Sequence, residues 1–325
     1  MSKNVKVKII KKSYTPRSSL HPNHFNVILN FEASVPSNSY VFSGALTTEL
    51  PRLTDFIKAL DDLRKRLEKE EKLDTGYITS LTEKYVLRKR FGASKKFPKI
   101  SEKFLLPGSS IKGAIRSRIE YKFKPFLVGE KYYSYACYIV QNPFIDRSFA
   151  RHHLNFWGEE VSYAREHCKP PNVCIICDIF GCPELSSRVH ISDAVLTKGS
   201  TELLDDLDKV EAVKPSSMFS LKITGFNLSL LDLGLIFLGL ELYSGSPVLI
   251  GAYKYRFNPV LERKLFRGKF TFGLLKFKLN SFKEHAVEKV LEEIKTPKDL
   301  IREAKNALDR SEYAEHIDYN KGVLA

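Results

Sequence analysis

Three groups of residues in this chain have the types and spacing that chemistry needs. The first is His167-Cys168, followed by Cys174 and Cys177, with Cys182, His152 and His153 nearby. A Cys-x2-Cys pair bites one tetrahedral ion, and His167, Cys168, Cys174 and Cys177 together form a four-ligand set for structural zinc. Reduced, buried thiols acting as small apolar residues are the plainer alternative. The second group is the run Leu106-Pro107-Gly108-Ser109-Ser110-Ile111-Lys112-Gly113-Ala114-Ile115-Arg116, a tight turn that opens a helix. Free backbone N–H groups and the dipole at such a start attract phosphate. Gly108 and Gly113 admit close approach of another backbone, Ser109 or Ser110 supplies the cap, and Lys112 and Arg116 stand four apart on one face, ready for a polyanion. An ordinary capped helix with solvated cations is the alternative. A Walker-type phosphate loop is disfavoured, because Ala114 and Ile115 occupy the positions where it requires Lys and Ser or Thr. The third group is Gly251 with Tyr253, Lys254, Tyr255 and Arg256, where ring and cation interleave as a single-stranded nucleic acid would want. An edge strand explains the same pattern.

The elements that must position these groups follow from periodicity. Phe25, Val27, Leu29 and Phe31 alternate with polar neighbours and predict a half-buried strand. Leu53, Phe56, Ile57, Leu60, Leu63 and Leu67 predict an amphipathic helix. The Lys84 to Lys103 stretch is basic and loop-rich, so residues 40–103 form a helical and basic insertion. Ile111, Ile115 and Ile119 supply the buried stripe of the helix after Pro107, which ends before Pro125. Residues 126–187, rich in Tyr, His, Cys and Pro, form a second inserted lobe, and 188–282 the second half of the core. There, Val189 with Ile191, Phe219 with Leu221 and Ile223, and Phe270 to Leu279 predict strands around a buried helix at Leu230 to Tyr243. Two charged helices, Lys283 to Ile294 and Pro297 to Leu308, close the chain. The interleaving is that of an α+β protein with an antiparallel sheet and helices on one face.

Composition narrows the partners. Fifty-two Lys and Arg against 38 Asp and Glu give a formal charge of +14 over 325 residues, which favours a polyanion. The most apolar stretch, Leu230 to Tyr243, is broken by Asp232 and Glu241 and is too short to span a bilayer, so no membrane partner is expected. The N-terminal Lys3, Lys6 and Lys8 alternate with Val5, Val7 and Ile9 as a strand does, without the apolar core of a secretory signal, which predicts a cytoplasmic protein. One Trp and two Met beside abundant Lys and Glu resemble thermophile usage.

Leu106 to Arg116 resembles the proline-glycine-serine-serine signature of the RAMP superfamily, the CRISPR-associated RNA-binding proteins of type III (Csm and Cmr) effector complexes. Cys174-Ile175-Ile176-Cys177-Asp178-Ile179-Phe180-Gly181 and the strand at Arg188 to Ala194 are similar to two further family segments, and Gly251 to Lys254 with Phe272-Gly273 to a split glycine-rich loop. The resemblance implies a ferredoxin-like (RRM-like) core with inserted lobes and C-terminal helices. It also implies a backbone-type subunit that grips CRISPR guide RNA, meets target RNA, stacks on other subunits and, like several relatives, carries zinc. Exposed sheet aromatics would then stack on the RNA. Some relatives cleave RNA with an aspartate in the loop after the first strand. Ser34 to Leu50 holds no Asp here, and Asp55, Asp61 and Asp62 fall in the charged helix. His21 and His24, before that strand, offer a general base, as in related guide-processing nucleases, and a structural role is the commoner one. An endoribonuclease and a capping subunit that contacts mainly protein are the alternatives to a guide-binding subunit.

Overall fold

The computed structural model describes residues 7–43, 53–69, 74–81, 96–137, 168–204, 210–251, 254, 271–286, 291 and 293–321. Its strands are β1 (Val7–Ile9), β2 (Lys12–Ser13), β3 (Phe25–Ser34), β4 (Ser39–Tyr40), β5 (Lys99–Ile100), β6 (Lys103–Leu106), β7 (Phe126–Val128), β8 (Lys131–Ser134) and β9 (Asn172–Val173). They continue with β10 (Val189–Ile191), β11 (Ala194–Lys198), β12 (Thr201–Leu204), β13 (Val210–Val213), β14 (Met218–Leu228), β15 (Val248–Leu249), β16 (Thr271–Phe272) and β17 (Leu274–Ala286). The helices are α1 (Leu53–Leu67), α2 (Thr75–Leu81), α3 (Gly108–Lys122), α4 (Ile175–Phe180), α5 (Leu230–Gly239) and α6 (Pro297–Asp309).

The largest sheet runs β15-β17-β3-β14-β11-β6-β5, with β10 also on β14. Its pairings are all antiparallel. Taken in chain order, β3, α3, β10 with β11, β14, α5 and β17 form a βαββαβ unit whose strands lie in the spatial order fourth, first, third, second. That is the ferredoxin-like arrangement that the family resemblance implies. Period-two alternation decides which face the helices cover. Phe25, Val27, Leu29, Phe31 and Ala33 of β3 are buried, as are Phe219, Leu221 and Ile223 of β14 and Phe277 and Leu279 of β17. Ile111, Ile115 and Ile119 of α3 and the nearly all-apolar α5 close over that face. A Cβ on Gly234 of α5 would stand 2.5 Å from the Ala304 carbonyl, so glycine there lets α6 dock against α5 at close range.

Two expectations are corrected. Lys283 to Ala286 are strand, not helix: β17 pairs along the whole of β3 as far as Ala286 with Phe25, after an irregularity between Leu279 and Ser281 that shifts the register. The buried helix stops at Gly239 rather than Tyr243. The basic residues at 84–95 lie outside the described residues, and α2 is a helix the periodicity did not signal.

A buried guanidinium ties the Cys-rich lobe to this core. Arg188, just before β10, donates from Nη2 to Asp178 Oδ2 at 2.7 Å, from Nη1 to Asp232 Oδ2 at 2.9 Å and to the Asn227 carbonyl at 2.6 Å. Asp178 lies in α4; Asp232 belongs to a capping box with Ser229 that starts α5. Asp178 accepts further bonds from Thr15 and Arg17. Burial alone would raise the Asp178 pKa, but Arg188, Arg17 and Thr15 hold it below the usual carboxylate value. Removing Arg188 leaves buried Asp232 without its cation and Asp178 with Arg17 alone, so Arg188→Met should cost about 3–5 kcal/mol of stability, read from the midpoint of chemical denaturation. A loss below about 1 kcal/mol would show that the network holds little together.

Candidate metal centre and nucleic-acid interface

Four buried cysteines converge in the lobe: Cys137, Cys168, Cys174 and Cys177, their sulfurs all within 4.8 Å of one another. The Cys137 and Cys177 sulfurs are 3.2 Å apart, and those of Cys174 and Cys137 3.6 Å. Four sulfurs about 2.3 Å from a tetrahedral ion stand roughly 3.8 Å from one another, so this cage is sized for a single ion. Backbone geometry supports the same arrangement. Cys174 N–H points at the Cys168 sulfur (3.2 Å), and Cys177 N–H at the Cys174 sulfur (3.4 Å) as α4 begins. Four soft thiolate donors suit zinc. Among the described residues this is the one group of His, Cys, Asp and Glu side chains close enough to share an ion.

The expected ligand His167 lies outside the described residues, and the fourth sulfur comes from Cys137. Sequence spacing could not find it, because Cys137 sits 31 positions before Cys168. These two cysteines flank residues 138–167, so the cage ties together the two ends of that stretch. Cys182 is half-buried and stands outside the cage.

The signature turn differs from its expectation at the cap. Helix α3 begins at Gly108, with Pro107 as N-cap and no side-chain cap from either serine. Asp193, at the break between β10 and β11, instead accepts the Gly108 N–H at 2.8 Å. A Cβ on Gly108 would lie 2.2 Å from the Ile191 carbonyl, so the turn is pressed onto the sheet and needs glycine. Ser109 and Gly113 are exposed, and Ser110 and Lys112 half-buried. Burial, and then the neighbouring charge of Arg116, lower the Lys112 pKa.

The other cations of α3 turn inward. Arg116 commits all three donor groups to the protein: Nε to Glu120 (3.0 Å), Nη1 to the Gly181 carbonyl (2.7 Å) and Nη2 to the Cys177 sulfur (3.1 Å). Burial disfavours its charge, but Glu120 and Cys177 more than restore it. Lys122 is buried 3.0 Å from Glu241 and donates to the Tyr319 carbonyl, with Arg118 beside the same carboxylate.

The two halves of the split glycine loop do meet. Ile250 N–H donates to the Gly273 carbonyl at 2.7 Å, and a Cβ on Gly273 would touch Lys254. Gly251, at φ 86°, backs onto the Phe42 carbonyl. Burial, with Arg118 nearby, brings the Lys254 pKa down to about 8. Tyr253, Tyr255 and Arg256 lie outside the described residues.

The His21 and His24 rings lie with centroids 4.6 Å apart and planes tilted by 40°, and His24 Nδ1 lies 3.2 Å from Asn227 Oδ1. Asn227 also donates to the Pro16 and Ser19 carbonyls, so this pair helps clamp the segment before β3. Burial lowers the His24 pKa more than Asp232 and Asn227 raise it.

The open face of the sheet is the surface that sequence reasoning missed. Lys222 of β14 and Lys276, Lys278 and Lys283 of β17 are exposed there, with His190 and His285, against one acid, Glu32. The register sets Lys276 opposite Ser34, Lys278 opposite Glu32, Lys283 opposite Ile28 and Lys222 opposite Asn30. No Phe, Tyr or Trp of the large sheet is exposed among the described residues. On the described strands alternation turns Phe25, Phe31, Phe219 and Phe277 inward, while Tyr253 and Tyr255, the rings expected to stack, lie outside the described residues. The signal available in the sequence was the Lys-x-Lys alternation at 276–278, whose apolar partners predict the other face.

Replacing one cage sulfur tests the metal assignment. Wild-type protein should retain about one zinc per chain and Cys174→Ser should lose most of it, measured by metal analysis after dialysis against chelator. Equal metal content in the two proteins would refute the cage.

No helix among the described residues is long and apolar enough to cross a membrane. No curated protein matches the sequence. The family model of the RAMP superfamily matches residues 90–319, more than two thirds of the chain, and covers α3, the four cysteines, and β10 through α6. With that match over a ferredoxin-like sheet, the chain belongs to the RAMP superfamily.

Proposed function

We propose that this RAMP protein is a guide-RNA-binding, backbone-type subunit of a type III CRISPR interference complex, acting in the cytoplasm in antiviral defence. Its other partners are target RNA and neighbouring subunits. Membership of the superfamily makes the protein CRISPR-related and ties it to RNA. The observation that carries the finer reading is the lysine-bearing open face of the sheet, where β14 and β17 present four Lys against Glu32 of β3 and no Phe, Tyr or Trp of the described strands is exposed.

Lysines without aromatic neighbours hold phosphates and leave bases unread. A subunit that carries guides of any sequence requires that kind of contact. Ser109, Ser110, Lys112 and Gly113 on the signature turn supply a second contact through their own polar groups, the Gly108, Ser110 and Ile111 N–H groups being bonded to Asp193 and the Pro107 carbonyl. Gly251, Tyr253, Lys254 and Arg256 supply a third. Arg116 keeps its place in the signature, but its charge is spent inside the protein.

Lys222→Ala with Lys278→Ala tests the reading. Affinity for a guide-like single strand should fall, and the slope of log affinity against log salt should become shallower by about 1.4, roughly 0.7 for each lost phosphate contact. Equal loss for strands of unrelated sequence is expected. An unchanged affinity would remove the open face as the binding surface and favour a subunit that contacts mainly protein. Cleavage of added RNA by the wild-type protein, with or without divalent metal, would favour the endoribonuclease.

A further inference from the structure

Arg116 has the surroundings of a metal-centre residue, although it stands in the signature helix four residues from Lys112. Its Nη2 lies 3.1 Å from a sulfur of the cage, and its side chain is 16% exposed. Glu120, one turn further along α3, fixes the other edge of the guanidinium at 3.0 Å. Gly181, whose carbonyl accepts Nη1, closes α4, the helix that begins between Cys174 and Cys177. Every polar atom of the side chain therefore faces either α3 or the metal lobe.

An ion of charge +2 held by four thiolates leaves a net charge of about −2 in a buried site, which needs a compensating cation and N–H donors to the sulfurs. Two backbone N–H groups, from Cys174 and Cys177, already point at sulfurs. Arg116 adds a charged donor to the Cys177 sulfur. A planar fork makes such contacts in a fixed geometry, which a lysine ammonium would not.

We propose that Arg116 is the outer-sphere partner of the four-cysteine metal centre, a positioning residue through which metal occupancy fixes α3 and its signature turn. The link is mechanical as well as electrostatic. Asp193 and the close packing of Gly108 on Ile191 hold the start of α3, and Arg116 holds its middle against the lobe. With the ion bound, Cys177 is a thiolate and the Nη2 contact is charge-assisted. Without it, the sulfur is a weak acceptor, and α3 loses its charge-assisted tie to the lobe. The proposal rests on the cage holding a metal and is independent of which surface binds RNA.

The test uses the full chain loaded with cobalt(II) as a spectroscopic stand-in, together with zinc retention in competition with a chelator. Arg116→Gln should hold metal 10- to 100-fold more weakly than wild type, the range for loss of an outer-sphere partner. It should also shift the thiolate-to-cobalt charge-transfer absorption, which a merely structural defect far from the sulfurs would leave in place. Lys112→Gln should change neither. Arg116→Lys keeps the charge and loses the fork, so it should weaken retention while the far-UV circular dichroism stays that of wild type. This second variant carries the test if Arg116→Gln does not fold. Wild-type retention and an unshifted cobalt spectrum in the folded variants would overturn the proposal. Wild-type retention with a salt slope for RNA binding shallower by about 0.7 would assign Arg116 to a phosphate contact instead. A wild-type chain that takes up neither zinc nor cobalt would defeat the metal assignment itself, and the proposal with it.

Discussion

The structure turns on the burial of the Arg188 charge. Taking a guanidinium out of water costs several kcal/mol, and only well-placed anions and carbonyls repay it. Asp178, Asp232 and the Asn227 carbonyl do so here, and they come from α4, α5 and the end of β14. Those elements can satisfy Arg188 only in one mutual arrangement. Because Asp178 directly follows Cys177, the arrangement also sets where the cysteine cage sits relative to the sheet. The path from sheet to Arg188, Asp178, Cys177, Arg116 and α3 returns to the sheet through Ile111 and Ile115, so the lobe is held in a closed circuit of contacts.

Much of the core was legible because it is written in local periodicity. The alternation from Phe25 to Phe31 and the spacing of Ile111, Ile115 and Ile119 each name an element and its buried side. The C-terminal part of β17 was hidden by its own irregularity: beyond Leu279 the register shifts, and Lys283, Glu284 and His285 then read as the charged face of a helix. The candidate site was legible in its local half. Cys174 and Cys177 announce a metal by spacing, whereas Cys137 is brought in by tertiary structure across a long gap. Arg116 misled for a related reason. Helical spacing says that it shares a side with Lys112, but what lies against that side is decided by another segment of the chain.

Charge and shape divide the labour on the two faces of the sheet. The helix-covered face uses its rings for packing, each burying a large apolar area. The opposite face keeps lysines in water, where their desolvation costs little and their field extends about 10 Å at 0.1 M salt. The overall excess of +14 adds attraction from further away when salt is low. A polyanion approaching this protein therefore meets a graded potential that ends on a surface with few apolar anchors. Such a surface permits sliding before any fixed register is reached.

The positions of Cys137 and Cys168 carry a consequence for loop closure. An ion coordinated by both pins the boundaries of the intervening 30 residues a few ångströms apart. The stretch between them is a loop whose ends the ion closes. The entropy of closing it rises only with the logarithm of its length, about 0.6 kcal/mol for each doubling. A change in the number of residues between the two cysteines is therefore cheap in closure entropy.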